Sequence, residues 1–379
     1  MEVPSGLFGF GVPFLVILTV LVFVHEMGHY LIARRNGVRV EVFSIGFGPE
    51  IFGWTDRGKT RWKFSLIPLG GYVKMFGDAD AASARVDGAV STLSDEEKAE
   101  AFPYKRLSQR AWIVAGGPLA NFLFAIVALA GLFIFVGQPF TPAVVGEVVA
   151  DSAAQEAGFQ PEDRVVEING WGIDSFEDLQ RIVSLSPGEQ LQVQVERDGN
   201  IVPLQVTPRV VEVTDGFGNV NRIGRLGIMR SGVDYIKRDP LSALYWATEE
   251  TWSLTMTTLK AVGQIISGSR STEELGGPLR IAKMSGQVAE TGIVAVVWFM
   301  AVLSINLGLI NLFPIPMLDG GHLLFYAIEA LRGKPLGIKA QEYGLRIGLA
   351  LVLGLMIFAT WNDIVHHVRI FDFLRDLVT

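Results

Sequence analysis

Four runs in this chain, 7–33, 111–136, 292–313 and 345–361, are apolar enough and long enough to cross a bilayer. The hydrocarbon core is roughly 30 Å thick and an α-helix rises about 1.5 Å per residue. No other feature restricts the fold so severely. Inside hydrocarbon every backbone polar group must be paired within the segment, so each run has to be a helix. Half of the 379 residues are hydrophobic and 19% are charged, the balance of a polytopic membrane protein with water-soluble mass attached. The first run lacks a basic leader and continues as far as Ala33. It is read as a retained helix rather than a cleaved signal, with Pro13 accommodated in its first half. A net charge of −7 gives no basic footprint for nucleic acid, and the absence of cysteine excludes disulfides, thiolate ligands and a cysteine nucleophile.

Charge at the ends of the runs sets the expected orientation. Arg34, Arg35 and Arg39 follow the first run, and Lys105, Arg106 and Arg110 precede the second. By the positive-inside rule the 34–110 loop is cytoplasmic and the amino terminus is outside. Residues 138–291 are then extracytoplasmic, and the loop carrying Arg332, Lys334 and Lys339 is inside. A further segment, 241–266, has apolar residues at helical spacing but carries Glu249, Glu250 and Lys260. It is read as an amphipathic helix lying on the surface, not a fifth span.

Between the second run and that helix, residues 141–208 alternate short β-like stretches with turn signals at Ile168-Asn169-Gly170 and Arg197-Asp198-Gly199-Asn200. The stretch D-S-A-A-Q-E-A-G-F-Q-P-E-D-R-V-V-E-I-N-G, continuing to R-D-G-N, resembles a bacterial PDZ domain.

The first run also contains His25-Glu26-Met27-Gly28-His29, an H-E-x-x-H motif. Residues four apart share a helix face, so both imidazoles can reach one ion. Zn²⁺ suits two imidazoles, and Glu26 can act as general base on water activated there. Haem ligation explains neither the glutamate nor the spacing. A purely structural polar cluster would set three polar side chains at a cost of about 2.5–3.5 kcal/mol per charge in mid-membrane, without a task. His25 lies nine residues before Arg34, about 13 Å inside the cytoplasmic boundary, so the site needs a wet cavity.

A catalytic zinc site calls for a third protein ligand. The stretch N-L-F-P-I-P-M-L-D-G-G-H, 311–322, ends the third run's helix at Pro314 and Pro316 and offers Asp319 on an unwound segment. Asp319 could instead cap a following helix. His322 is read as an outer or surface residue, and His366 and His367 as too distant to join. Asp319 meets the histidines only if the third run also crosses from outside to inside, which requires four spans.

H-E-M-G-H in the first helix with N-x-x-P-x-P-x-L-D-G in the third resembles the site-2 protease family of intramembrane zinc metalloproteases. The PDZ module between the second and third spans is similar to the branch typified by the bacterial regulator of sigma-E protease. The resemblance implies His25, His29 and Asp319 as zinc ligands, Glu26 as catalytic base, and Asn311, Pro314 and Pro316 in an unwound, substrate-facing segment. F-S-I-G-F-G-P (43–49) and F-S-L-I-P-L-G-G-Y-V-K-M (64–75) resemble the family's membrane re-entrant β-structure, which places Gly70 and Gly71 beside substrate. G-G-P-L-A-N (116–121) also fits, with Asn121 bonding substrate or a neighbouring helix. The chain departs from the best-known members in having one PDZ module instead of two.

The expected architecture is a polytopic α-helical membrane protein of four spans with a re-entrant β-structure at 38–77 and an inserted extracytoplasmic α+β PDZ domain. Residues 1–137 form the first half of the protease core, 141–208 the PDZ domain, 209–291 a following strand and amphipathic helices, and 292–379 the second half. The resemblance implies cleavage of single-pass membrane proteins (anti-sigma factors or signal-peptide remnants) in the bacterial inner membrane. It also implies a prior cut by a site-1 protease and a peptide or carboxyl terminus bound at the PDZ groove. A membrane scaffold with a structural metal is the main alternative, but it has no use for Glu26. A metal transporter would need a polar path that the fourth run does not provide.

Overall fold

The computed structural model describes residues 7–78, 93–214, 220–232, 234–268 and 276–364. Helix α1 (Leu7–Arg35) ends on Arg34 and Arg35, whose charge complements the carbonyl end of the helix dipole. A long hairpin follows, β1 (Val40–Thr55) and β2 (Arg61–Met75). Both strands bend. Residues 40–45 of β1 pair on one side with the start of β2 and on the other with 71–75, while 50–55 pair with 61–65. The sheet therefore runs 50–55, 61–65, 40–45, 71–75, and the last of these is an edge. Gly46 and Gly70, at φ +90° and +114°, sit at the bends where a side chain would be strained. One half of the hairpin is packed: Phe43 is fully buried, stacks on Trp62 at 4.4 Å and joins a cluster with Phe23, Met27 and Tyr30 of α1. The other half leaves Ile51, Phe52, Trp54, Phe64, Leu66 and Ile67 exposed.

Helix α2 (Asp95–Glu100) starts at a capping box, in which Ser94 and Glu97 each satisfy the other's backbone N–H. Helix α3 (Leu107–Phe135) carries the second apolar run and crosses α1 at glycines. A Cβ on Gly28 would run into the Gly116 carbonyl, and one on Gly116 would lie 2.8 Å from the Gly28 oxygen. Small residues here let two backbones touch, the usual basis of helix association where water gives no driving force.

Residues Leu132–Ala243, with Lys260–Ser271, form a compact unit of their own. It holds β3 (Gln138–Phe140), β4 (Val145–Val148), α4 (Ala153–Glu156), β5 (Arg164–Ile168), β6 (Trp171–Gly172), α5 (Phe176–Leu185), β7 (Leu191–Arg197), β8 (Asn200–Val206), β9 (Arg209–Thr214), β10 (Val220–Arg225), β11 (Ile228–Arg230) and β12 (Asp234–Ile236). Strands β6-β5-β7-β8 make an antiparallel sheet, and Ser152 and Ser175 cap α4 and α5 by accepting from Gln155 and Asp178 N–H groups. The core is ordinary: Val145, Val165, Ile168, Leu179, Leu191 and Val195 are fully buried. Asp163, also fully buried, takes both nitrogens of the Arg197 fork at 2.7 Å. The packed unit runs past residue 208, the boundary drawn from sequence. Strand β11 pairs with β4, and Leu226 is buried in the same core. Local patterns carry no trace of a pairing between strands eighty residues apart.

The remaining helices are α6 (Pro240–Ile266), α7 (Pro278–Thr291), α8 (Ile293–Leu312), α9 (Asp319–Arg332) and α10 (Ile338–Asn362). Among the described residues, four helices are long and apolar enough to cross a membrane, at Gly9–Arg35, Leu107–Phe135, Ile293–Leu312 and Lys339–Asn362. Helix α6 is not among them, as expected, yet it does not lie clear of the bundle. Ala247, Thr251 and Thr255 are buried, the two threonine hydroxyls donate to carbonyls one turn back, and Thr258 Oγ1 reaches Asn306 Oδ1 of α8 at 3.2 Å. The sequence placed this helix on a surface because its charges were visible and its small-residue stripe was not. At the far end of α10, Asp363 accepts from the Gly277 and Arg280 N–H groups at 2.8 and 3.0 Å. It caps α7, whose own N-cap residue, Gly277, has no side chain to do so.

Candidate metal centre

One turn of α1 carries His25 and His29, with Nε2 atoms 3.2 Å apart. The prolines end α8 at Leu312, and residues 313–318 run irregularly before α9 begins. Gly320 and Gly321 make that reversal possible. A Cβ on either would strike the carbonyls of Leu312 and Phe313 or of Ile315. Asp319 opens α9 and faces the histidines, with Oδ2 3.2 Å from His25 Nε2 and Oδ1 3.5 Å from His29 Nε2. Leu318, not Asp319, is the cap residue, so the competing capping role falls away. The Arg110–Glu329 ion pair, half-buried at 2.6 Å, ties the other end of α9 to α3.

Glycine again makes the room. A Cβ on Gly117 would collide with the His29 Nε2 and lie 2.8 Å from His25 Cε1. Glu26 lines a cavity with His25, His29, Gly71, Tyr72, Asn311 and Asp319. Val73 and Met75 line the same cavity, and a Cβ on Gly71 would lie 3.3 Å from the Glu26 Cγ, which brings the 71–75 edge of β2 against the glutamate.

The profile of peptidase family M50, the site-2 protease family, matches residues 13–355. The chain belongs to that family. Its relatives match end to end. "Putative zinc metalloprotease Atu1380" of Agrobacterium fabrum is 49% identical over 96% of this chain and 98% of its own length. "Putative zinc metalloprotease R01501" of Rhizobium meliloti is 48% identical over 93% and 95%. "Metalloprotease MmpA" of Caulobacter vibrioides is 38% identical over 97% and 98%. Among solved structures, the PDZ domain of an SdrC-like protein of Listeria monocytogenes aligns over 24% of this chain and 88% of its own, at 15% identity and a TM-score of 0.19, too loose to carry an argument.

M50 membership makes this a zinc-dependent membrane metalloprotease. The donor set fits the ion. One ligand atom from each residue lies within 4.8 Å of the others, and the two Nε2 atoms, 3.2 Å apart, are close to the ~3.3 Å edge of a tetrahedron built on Zn–N bonds of about 2.05 Å; each imidazole meets a different oxygen of Asp319, Oδ2 at 3.2 Å from His25 and Oδ1 at 3.5 Å from His29. His29 Nδ1 donates to the Ile113 carbonyl at 2.9 Å, which leaves its Nε2 lone pair facing the centre. Asp319 Oδ2 is buried without a hydrogen-bond partner despite its short distance to His25, since nothing there points a proton at it. A cation answers all three groups at once.

The other M50 expectations divide. Asn311 and Gly71 line the cavity, whereas Pro314, Pro316 and Gly70 are not among its lining residues. Pro316 turns toward α10, where a Cβ on Gly348 would strike its carbonyl, and the Phe47 ring packs over Gly70. Asn121 is fully buried, its side-chain amide lies 3.1 Å from His25 Nδ1, and it is not among the cavity's lining residues. His322 lines the cavity without joining the triad; His366 and His367 lie outside the described residues. Met317, which the sequence did not single out, lines the cavity at φ +94°, a strained conformation for a side chain of that size. Its place between Pro316 and Asp319 was the available signal.

Proposed function

We propose that this M50 protease is an intramembrane endopeptidase that cleaves single-pass membrane proteins at a zinc held by His25, His29 and Asp319. The observation that carries the reading is one cavity. It holds the three-donor cluster, the carboxylate of Glu26 and the 71–75 sheet edge, between helices whose outer faces are apolar. Bound there, Zn²⁺ supplies Lewis acidity, acidifying water and polarising a peptide carbonyl. Glu26 takes the proton from the attacking water and delivers it to the departing amide nitrogen. The 71–75 edge pairs with the backbone of an unwound substrate, by β-strand addition, and presents the scissile bond to the glutamate. Asn311, Met317 and Leu318 form the facing wall.

The exposed apolar half of the β1–β2 hairpin is read as re-entrant, covered by acyl chains. The active site then lies toward the cytoplasmic side of a bacterial inner membrane, with the amino terminus and the 141–230 unit outside. That unit is read as a PDZ domain whose groove takes a peptide or carboxyl terminus. The substrate arrives already trimmed by a site-1 protease, as an anti-sigma factor or signal-peptide remnant.

The test uses purified full-length protein in detergent with a tagged single-pass substrate that lacks its outer domain. Wild type, Glu26→Gln and chelator-treated samples run side by side. Cleavage within the membrane segment by wild type alone is the expected result. Equal cleavage by Glu26→Gln would remove Glu26 from the mechanism.

A further inference from the structure

A metal-bound imidazole must offer its lone pair at one nitrogen and dispose of the proton on the other. Which nitrogen does which is set by the partner of the second nitrogen. For His29 that partner is a backbone carbonyl, Ile113 O, which no substitution can delete. For His25 it is a side chain, Asn121, on α3. The two ligands are pinned by different means.

The orientation of the Asn121 amide decides the state of His25. The structure sets its Nδ2 3.1 Å from His25 Nδ1, but amide oxygen and nitrogen are told apart only by their partners. With the NH₂ group turned to His25, Nδ1 has to carry the lone pair. The ring proton then sits on Nε2, aimed at His29 Nε2 3.2 Å away and at the carboxylate of Asp319, where it blocks a metal. In that orientation Asn121 Oδ1 is also a buried acceptor with no partner. With the amide turned over, Oδ1 accepts the Nδ1 proton and Nε2 faces the centre bare, as His29 Nε2 does. Either orientation leaves one amide group unpaired, so the proton on His25 decides.

The setting of Asn121 suits such a role. Its backbone carbonyl accepts from the buried Ser304 hydroxyl of α8 at 2.9 Å. A Cβ on Gly308, one turn on, would lie 3.2 Å from the Asn121 Cβ. Helix α8 is thus registered against the residue that orients His25, and the chain leaving α8 delivers Asp319. One buried asparagine couples α1, α3 and α8.

We propose that Asn121 is a positioning residue of the metal centre, its side-chain oxygen holding the His25 Nδ1–H so that Nε2 is free to ligate. The proposal rests on the reading of His25 as a ligand. It is tested with full-length protein by zinc affinity in competition with a chromophoric chelator, the absorption bands of the Co²⁺-loaded protein, and thermal unfolding of the metal-free form. Asn121→Leu keeps the volume and removes the acceptor. It is expected to weaken zinc binding by about 10- to 100-fold and to shift the Co²⁺ bands, with metal-free unfolding unchanged. Asn121→Asp keeps the acceptor oxygen and is expected to bind zinc within a few-fold of wild type, or more tightly. Wild-type zinc affinity in Asn121→Leu overturns the proposal. A loss in Asn121→Asp as large as in Asn121→Leu does so too, because the NH₂ group would then be the part that matters. If Asn121→Leu does not fold, Asn121→Asp alone decides: near-wild-type affinity upholds the proposal and a tenfold loss overturns it. His25→Ala with unchanged zinc affinity would instead overturn the ligand assignment beneath it.

Discussion

The two compact units of this chain are built inside out relative to each other. In the 132–243 unit, Val145, Val165, Ile168 and Leu191 fill the centre while Glu147, Arg164 and Gln192 lie outside or on the border. In the helical unit the closely packed interior positions include Gly28, Gly116, Gly117, Asn121, Ser304 and Gly308, and the exposed side chains include Trp112, Leu123, Val127, Ile347 and Met356. The first arrangement is what water imposes. In the second, apolar surface gains nothing by being hidden from lipid, so close backbone packing and paired polar groups take the central role. That interior has room for two imidazoles and a carboxylate because glycine surrounds them.

The contrast can be broken by substitution. The largest effect is expected for Gly117→Leu, which puts a side chain where the His25 and His29 rings lie. Zinc binding and proteolysis should both disappear, as metal analysis and the substrate assay would read; retained zinc would mean the rings have another place to go. Glu26→Gln should lower kcat by on the order of 10²–10⁴ with zinc content unchanged, separating the base from the ligands within one helical turn. Ile168→Ala empties the water-type core and should cost that unit about 2–5 kcal/mol. Its denaturant midpoint falls while zinc affinity holds; a parallel fall in zinc affinity would show that the units do not fold independently.

The smallest effect concerns the hairpin turn. Burial alone would raise the Asp56 pKa, but hydrogen bonds from Trp62 Nε1, the Thr60 N–H and Tyr30 outweigh it and hold the carboxyl below the usual range. A depressed folded-state pKa contributes stability that is present above the unfolded value of about 3.9 and is lost as pH falls through the folded value. Hydrogen exchange in the 56–62 turn should therefore quicken below pH 4 in wild type, and less so in Asp56→Asn. Equal acid sensitivity in both would place the effect elsewhere.

What was legible in the sequence was local. Apolar runs give the four helices, the four-residue spacing of His25 and His29 gives one face, and two prolines before Asp319 give the break that frees it. What was not legible joins distant segments. The bond between Asn121 and His25 spans 96 positions, and the approach of Gly117 to the rings needs α1 and α3 crossed at a particular register. Residues 71–75 become an edge only once β1 and β2 fold back on themselves, and Thr258 meets Asn306 only when α6 packs on α8. Pro314, Pro316 and Gly70, placed by motif beside substrate, are not among the residues lining the cavity.

The bond from Asp363 to the start of α7 sets an order of events. Those N–H groups leave the ribosome 86 and 83 residues before their acceptor does, an interval of roughly 4–17 s at ordinary synthesis rates of about 5–20 residues per second. Until then α7, which packs beside Ile17 and Leu21 of α1 through Ile281 and Val288, has an open first turn. The helix that carries the histidines therefore completes its surroundings only when nearly the whole chain has been made. An arrested, half-synthesised copy would hold the metal-binding motif without the enclosure that turns it into a protease.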